Sequence, residues 1–347
     1  MKLLLTAVLL CFTDSLVHYR QFRNGHLYSK SFIKKPYHPK FPIKKNPTVY
    51  FNPPDSKIDG LIQLIRPKSI LPTFLLSFSG GWLMHPSLTF LAQSTPFLIS
   101  SLTTLLVMSS AMVINDIYDL PIDRINHPKR PLVSKTVSVP EAIALYVTMI
   151  LITEGLSLYF LPSYLQNIIH LAIIYTGLYT PVFKKIPFVK NAACAGLVSF
   201  SIFFSGLSST SRMISLNPNF ELFSNLLVMI FLGSFCNELL LDIRDYEGDK
   251  ENQIYTIPVI FGKPLAWVTA NMITYFNLFF SGNVLIYHTN LTDGLLMALM
   301  FSPILKNLYW IKQENYSYDS ITRTLNDSNI TLFSLILFFC SIAFTKT

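Results

Sequence analysis

The sequence predicts an all-α, polytopic membrane protein with nine transmembrane helices, and three observations carry that prediction. Of 347 residues, 51% are hydrophobic and only 13% charged, about half the roughly 25% charged share of soluble domains. Long apolar runs alternate with short polar breaks from Lys68 onward. Lys and Arg crowd into every second break, the bias by which membrane proteins distinguish the two sides of a bilayer. A soluble enzyme and a disordered protein are excluded, because a soluble fold needs a charged skin and this chain has too little of one. The net charge of +8 would suit a nucleic-acid partner, but its confinement to one set of loops argues for a membrane and no nucleic acid.

Taken in order, residues 1–16 read as a secretory signal, Lys2 followed by an apolar run from Leu3 to Phe12. That run falls short of the roughly 20 residues a helix needs to cross about 30 Å of hydrocarbon. From Val17 to Tyr50 there are eight Lys or Arg and no acid, a transit-like composition. Signal plus transit stretch resembles the two-part address of plastids gained by secondary endosymbiosis. A plastid membrane is expected, with the mitochondrial inner membrane or endoplasmic reticulum as the other destinations. The competing reading is a basic tail lying on anionic membrane lipid. Residues 1–55 are therefore set apart from a transmembrane domain over 56–347.

The expected spans are about 68–84, 96–114, 139–160, 164–181, 188–207, 222–241, 264–287, 293–310 and 330–345. Pro72, Gly177 and Gly233 inside them are tolerable where neighbouring helices satisfy the backbone. Cys11, Cys194, Cys236 and Cys340 sit in apolar stretches without metal-ligand spacing and are expected only to pack. With nine spans, four loops and their margins share the N-terminal side. They hold Arg124, Lys129, Arg130, Lys135, Lys184, Lys185, Lys190, Arg244, Lys250, Lys263, Lys306, Lys312 and Arg323. The opposite side holds Arg212, with Lys346 at the C-terminus. A missed or invented span would scramble that partition, so the charges support the count as well as the orientation.

Only 19 residues are Asp or Glu, and eight of them fall in the windows 115–124 and 242–251. Asp116, Asp119 and Asp123 repeat the spacing of Asp242, Asp245 and Asp249. Positions i, i+3 and i+7 lie within about 60° of one another on a helix. Both trios follow the end of a span on the basic side. Like charges at hydrocarbon's edge repel and are costly, so something must neutralise them. Oxygen-only donors at this density suit a hard cation such as Mg2+, which is held by carboxylates together with substrate phosphates. Arg124, Lys129, Arg130, Lys184, Lys185, Lys190 and Lys250 add anion-binding groups, and the combination describes a diphosphate site. One acidic cluster alone reads equally as a helix end paired with nearby cations. Two of identical spacing on one face of a bundle argue against that.

The run Asn115-Asp116-x-x-Asp119-x-x-x-Asp123, followed by Arg124, Ile125, Asn126, Pro128, Arg130 and Pro131, resembles the first signature of the UbiA superfamily of intramembrane prenyltransferases. Asp242-x-x-Asp245-x-Glu247-Gly248-Asp249-Lys250, running into Thr256, Pro258 and Phe261-Gly262, is similar to that family's second aspartate motif. Arg66-Pro67 and the stretch Tyr179 to Asn191 also match, and the likeness covers about residues 60–345. It implies a nine-helix bundle around a central cavity, holding two Mg2+ and a prenyl diphosphate. By motif position Asn115, Asp116, Asp119 and Asp123 serve one metal site, and Asp242, Asp245 and Asp249 the other. Asp116, Asp119, Asp242 and Asp245 are the catalytic candidates. Asn115, Arg124, Arg130, Lys184, Lys190 and Lys250 are the diphosphate candidates. Residues 114–131 resemble the branch containing chlorophyll synthase, homogentisate prenyltransferases and archaeal ether-lipid synthases.

Such a site suits cleavage of an allylic diphosphate, with metal and cations stabilising the leaving group and the membrane excluding water from the allyl cation. Tyr118, Tyr175 and Tyr179 are candidates to shield that cation, or simply pack. Glu238, one turn before Asp242, is a candidate to receive a proton from the acceptor or to pair with an Arg. His127 and His170 have no partner at ligand spacing. The expected reaction is transfer of a prenyl group to a lipophilic, aromatic acceptor of the prenylquinone, tocopherol or chlorophyll type. The alternative is ether formation on a phosphoglycerol hydroxyl. A CDP-alcohol phosphotransferase lacks its tight aspartate run here. A cation transporter fits poorly, because its acids belong at mid-membrane and these lie at span ends.

Overall fold

The computed structural model describes Pro54 and residues 56–346, apart from 211–213 and 252. The segment 1–55 expected to carry a targeting signal, Pro54 excepted, and Arg212 lie outside the described residues. Among the described residues there is no strand, and nine helices have 15 residues or more. They are α1 Ile70–Met84, α2 Thr95–Tyr118, α3 Val139–Phe160, α4 Ser163–Tyr179, α5 Val189–Ser208, α6 Phe220–Arg244, α7 Lys263–His288, α8 Leu291–Gln313 and α9 Tyr318–Thr345. By length and composition six could cross a membrane. The other three are α1 and α4, with 15 and 17 residues, and α7, whose apolar run Asn271, Asn277 and Asn283 interrupt.

The nine helices follow the expected spans in order. The largest difference is α9, expected from about 330 and starting at Tyr318. Its first turns are polar outside, with Asp319, Arg323 and Asn326, yet bury Ile321 and Thr324, so hydropathy hides a helix that packing maintains. Helix starts are fixed by side-chain caps. Ser94 Oγ accepts from Phe97 N–H, Asn290 Oδ1 from Asp293 N–H and Ser317 Oγ from Ser320 N–H. Glu141 reaches back to accept from Ser138 N–H at 2.9 Å, the reciprocal half of a capping box.

Close packing relies on small residues, as it does where lipid supplies no hydrophobic drive between helices. A Cβ at Gly80 of α1 would stand 2.1 Å from the Ile202 carbonyl oxygen of α5, so only glycine permits this crossing. One apolar core joins α2, α3 and α4, and a second joins α1 with α6–α9. A third sits under the second aspartate motif, where Leu239, Leu240 and Ile243 meet Ile257, Ala266, Leu308 and Ile321. Leu151, Leu171, Phe279, Leu299 and Leu337 stay exposed, as lipid-facing positions require. Cys194, Cys236 and Cys340 are free thiols, in keeping with a packing role. The short helices Lys57–Leu64, Pro67–Ser69, Leu120–Asn126, Phe183–Lys185, Tyr246–Glu251 and Ile257–Phe261 all belong to links on the side of the aspartate motifs.

Candidate active site

The spacing predicts each aspartate trio on one helical face, and the structure puts a joint in both. α2 ends at Tyr118 and a new helix starts at Leu120, with Pro121 in its first turn. Proline lacks an N–H and crowds the preceding turn, so the helix restarts there with Asp119 as the hinge. In the second motif α6 ends at Arg244 and Asp245 is the joint before Tyr246–Glu251. The breaks are small. Asp119 and Asp123 N–H still bond the carbonyls four residues back at 2.9 and 2.8 Å, and Asp245 and Asp249 do so at 3.0 Å. Each third aspartate therefore rides on its own short helix with its register kept.

Every aspartate of the first motif receives a cation. Asp116, 5% exposed, accepts from Arg66 at 2.7 Å and from Arg130 at 3.3 Å. Arg130 also reaches Asp123 at 2.5 Å, bridging the two carboxylates. Lys184 grips both oxygens of Asp119 at 2.6 Å and the Asn115 amide oxygen at 3.1 Å. The Asn115 amide donates to Asp119 at 2.8 Å. In the second motif Asp242, also buried, accepts from Lys190 at 2.5 Å and from the Asn191 amide at 2.9 Å. Asp245 is half exposed and pairs with its neighbour Arg244 at 2.9 Å. Asp249 makes no ion pair among the described residues, and Lys190 is the cation whose charge it feels.

The two motifs share one neighbourhood. Lys184 holds the first and Lys190 the second, and six residues of chain span at most about 20 Å. His127, just past the first motif, feels the charges of Asp116 and Asp245 alike. Burial, aided by Arg130 and Arg66, outweighs both carboxylates and lowers its pKa. Burial pushes Asp123 up to about 6 despite Arg130, with Asp116 and Asp119 adding to the rise. Asp249 is likewise pushed up to about 6 by burial, against the pull of Lys190 and helped by Asp242 and Asp245.

Those two carboxylates carry more desolvation than their cations offset, the situation a divalent cation relieves. The donor set, carboxylates with an amide oxygen, is also of the hard type that Mg2+ takes. Among the described residues no three acidic side chains converge on one point, and five of the six motif aspartates are turned toward a Lys or Arg. The ligand set therefore fits in chemistry, and its side chains must turn from ammonium and guanidinium groups to a metal.

Two of the expected diphosphate residues are more open to solvent than the others. Lys250 is exposed and lies over the Tyr246 ring, 5.6 Å from its centroid. Arg124 is exposed on Leu120–Asn126. Lys250 is next to Asp249 in sequence, yet neighbouring positions on a short helix point to different sides. Two residues given no role in the sequence reading are central. Arg66 has a left-handed backbone, φ 51°, which no motif announces, and this aims its guanidinium at Asp116. Asn191 doubles the hold on Asp242. The only signal for either was its place inside a stretch matching the family. Tyr175 packs on Phe183 at 5.2 Å between centroids, and Tyr179 bonds Cys194.

The profile of the UbiA prenyltransferase family matches residues 70–343. A digeranylgeranylglyceryl phosphate synthase of Saccharolobus solfataricus is 32% identical over 206 residues, 59% of this chain and 71% of that protein. One from Methanococcus maripaludis strain S2 is 26% identical over 218 residues, 63% of this chain and 74% of that protein. Among solved structures, a digeranylgeranylglyceryl phosphate synthase superposes with a TM-score of 0.62 at 21% identity, over 83% of this chain and 98% of the other. A UbiA homologue from Archaeoglobus fulgidus bound to GPP and Mg2+ gives 0.60 at 20% identity, over 82% and 99%. With the motifs, the all-helical membrane architecture and a match across most of its length, the chain belongs to the UbiA prenyltransferase family.

Proposed function

We propose that this protein transfers a prenyl group from an isoprenoid diphosphate to the free hydroxyl of a glyceryl phosphate lipid, forming an ether, with Mg2+ assisting loss of diphosphate. The observation that carries the reading is the single segment 184–191, which holds Asp119 through Lys184 and Asp242 through Lys190 and Asn191. One anion bound between the motifs would meet both lysines. Asp116, Asp119, Asp123, Asp242, Asp245 and Asp249 would hold the metal, and Arg130, Lys184 and Lys190 the diphosphate. The metal supplies Lewis-acid stabilisation of the departing diphosphate. The lysines and arginines bind the same charge, and the bundle keeps water from the allyl cation.

Digeranylgeranylglyceryl phosphate synthases are the relatives that support the acceptor. The aromatic acceptor of the sequence reading thus yields to its alternative, an acceptor of the phosphoglycerol class. The test offers purified protein in lipid nanodiscs geranylgeranyl diphosphate and Mg2+ with either geranylgeranylglyceryl phosphate or homogentisate. Diphosphate release coupled to ether formation with the first acceptor alone is the expected result. Coupling to homogentisate alone overturns the acceptor assignment.

A further inference from the structure

Between α5 and α6 two rungs lie one helical turn apart. The outer rung is the ion pair Lys190–Asp242. Four residues along each helix, the Cys194 thiol lies beside the Glu238 carboxylate. Behind the sulfur stands Tyr179 of α4, its Oη 2.8 Å from Sγ. Tyr179, Cys194 and Glu238 thus stand in one row, tyrosine hydroxyl against sulfur and sulfur beside carboxylate. No Lys, Arg or His among the described residues lies within ion-pair distance of Glu238, while five of the six motif aspartates have such a partner. A carboxylate inside a membrane helix whose nearest donor is a weak one is costly, and a thiol leaves most of its lone pairs unused.

We infer that Glu238 is the acceptor-hydroxyl site: held in place by Tyr179 and Cys194, it binds the attacking hydroxyl and takes its proton. The inference rests on the prenyl-transfer reading and names the group that completes it. Its position follows from the geometry. A diphosphate at the outer rung leaves the prenyl C1 on the hydrocarbon side, and one turn is about 5.4 Å, the level of Glu238. In the step, the C1–O bond to diphosphate breaks and its electron pair leaves with diphosphate. A lone pair of the acceptor oxygen forms the new C1–O bond, and the hydroxyl proton passes to the Glu238 carboxylate. Tyr179 and Cys194 are positioning residues, since they act through Glu238.

The test separates ionisation from capture. Exchange of bridging oxygen-18 into non-bridging positions of geranylgeranyl diphosphate reports reversible ionisation, and ether formation with geranylgeranylglyceryl phosphate reports capture. Glu238→Gln is expected to keep isotope exchange within about threefold of wild type and to lose ether formation by about 100-fold or more, the range of a lost general base. Glu238→Asp regains part of the ether yield, and Cys194→Ala lowers kcat about tenfold at unchanged donor KM. Ether formation by Glu238→Gln within about threefold of wild type overturns the inference. So does parallel loss of exchange and ether in Glu238→Gln and Glu238→Asp alike, which marks a structural role. Wild-type protein showing neither reaction overturns the prenyl-transfer reading, and this inference with it.

Discussion

Removing Arg130 isolates the electrostatic logic of the first motif. Its guanidinium serves Asp123 at 2.5 Å and Asp116 at 3.3 Å, both with about 6% of the side chain exposed. In Arg130→Met, Asp116 retains Arg66 at 2.7 Å, so Asp123 bears the loss. Leaving a buried charge without its partner costs about 3–5 kcal/mol. Protonation is the cheaper escape. With a pKa already pushed up to about 6, taking a proton at pH about 7 costs about 1.4 kcal/mol even before Arg130 is removed. The variant therefore folds with Asp123 neutral, and a neutral carboxyl is a poor metal donor. In a diphosphate-release assay titrated with Mg2+, half-saturation at pH about 7 should rise about tenfold or more, and the gap to wild type should close as pH rises to about 9. Arg130→Lys, one charge without the fork, falls between. Magnesium titrations of Arg130→Met that overlay wild type throughout that range would refute the reasoning.

Three other outcomes are expected. In the wild type, Asp123 and Asp249 both titrate near about 6. Metal takes the anionic form, so Mg2+ affinity is full above that pH and falls as pH drops through it; a magnesium titration constant from about pH 7.5 to 5 contradicts the assignment. Lys184→Met removes the grip on Asp119 and one cation from the proposed diphosphate site, and should raise donor KM about tenfold, read from initial rates. Gly80→Ala places a methyl 2.1 Å from the Ile202 carbonyl oxygen. Separating α1 from α5 should then lower the melting temperature by several degrees, by about 1–3 kcal/mol, in a thermal scan of the detergent-solubilised protein.

Six of the nine helices were legible because length and hydropathy report membrane helices directly, and the short α1 and α4 and the asparagine-broken α7 were legible only from the alternation of apolar runs with one-sided Lys and Arg. The start of α9 was hidden, since Asp319, Arg323 and Asn326 read as a loop while Ile321 and Thr324 packed inward. Six aspartates stood out by repeated spacing in an acid-poor chain. Their partners did not, because pairing between Arg66 and Asp116, or Asn191 and Asp242, spans 50 and 51 residues and is settled by helix packing. The joint at Asp119 was written in Pro121, but nothing comparable marks Asp245. Lys250 lies over the Tyr246 ring, a placement that its sequence adjacency to Asp249 does not foretell.

Prenyl diphosphate cleavage by the single variants Asp116→Ala and Asp242→Ala tests most directly whether the two motifs work on one substrate. Release of diphosphate should fall by about a thousandfold in each variant, as expected when a shared metal site is broken, with the detergent-solubilised protein still monodisperse. Near-normal turnover by either one contradicts the account.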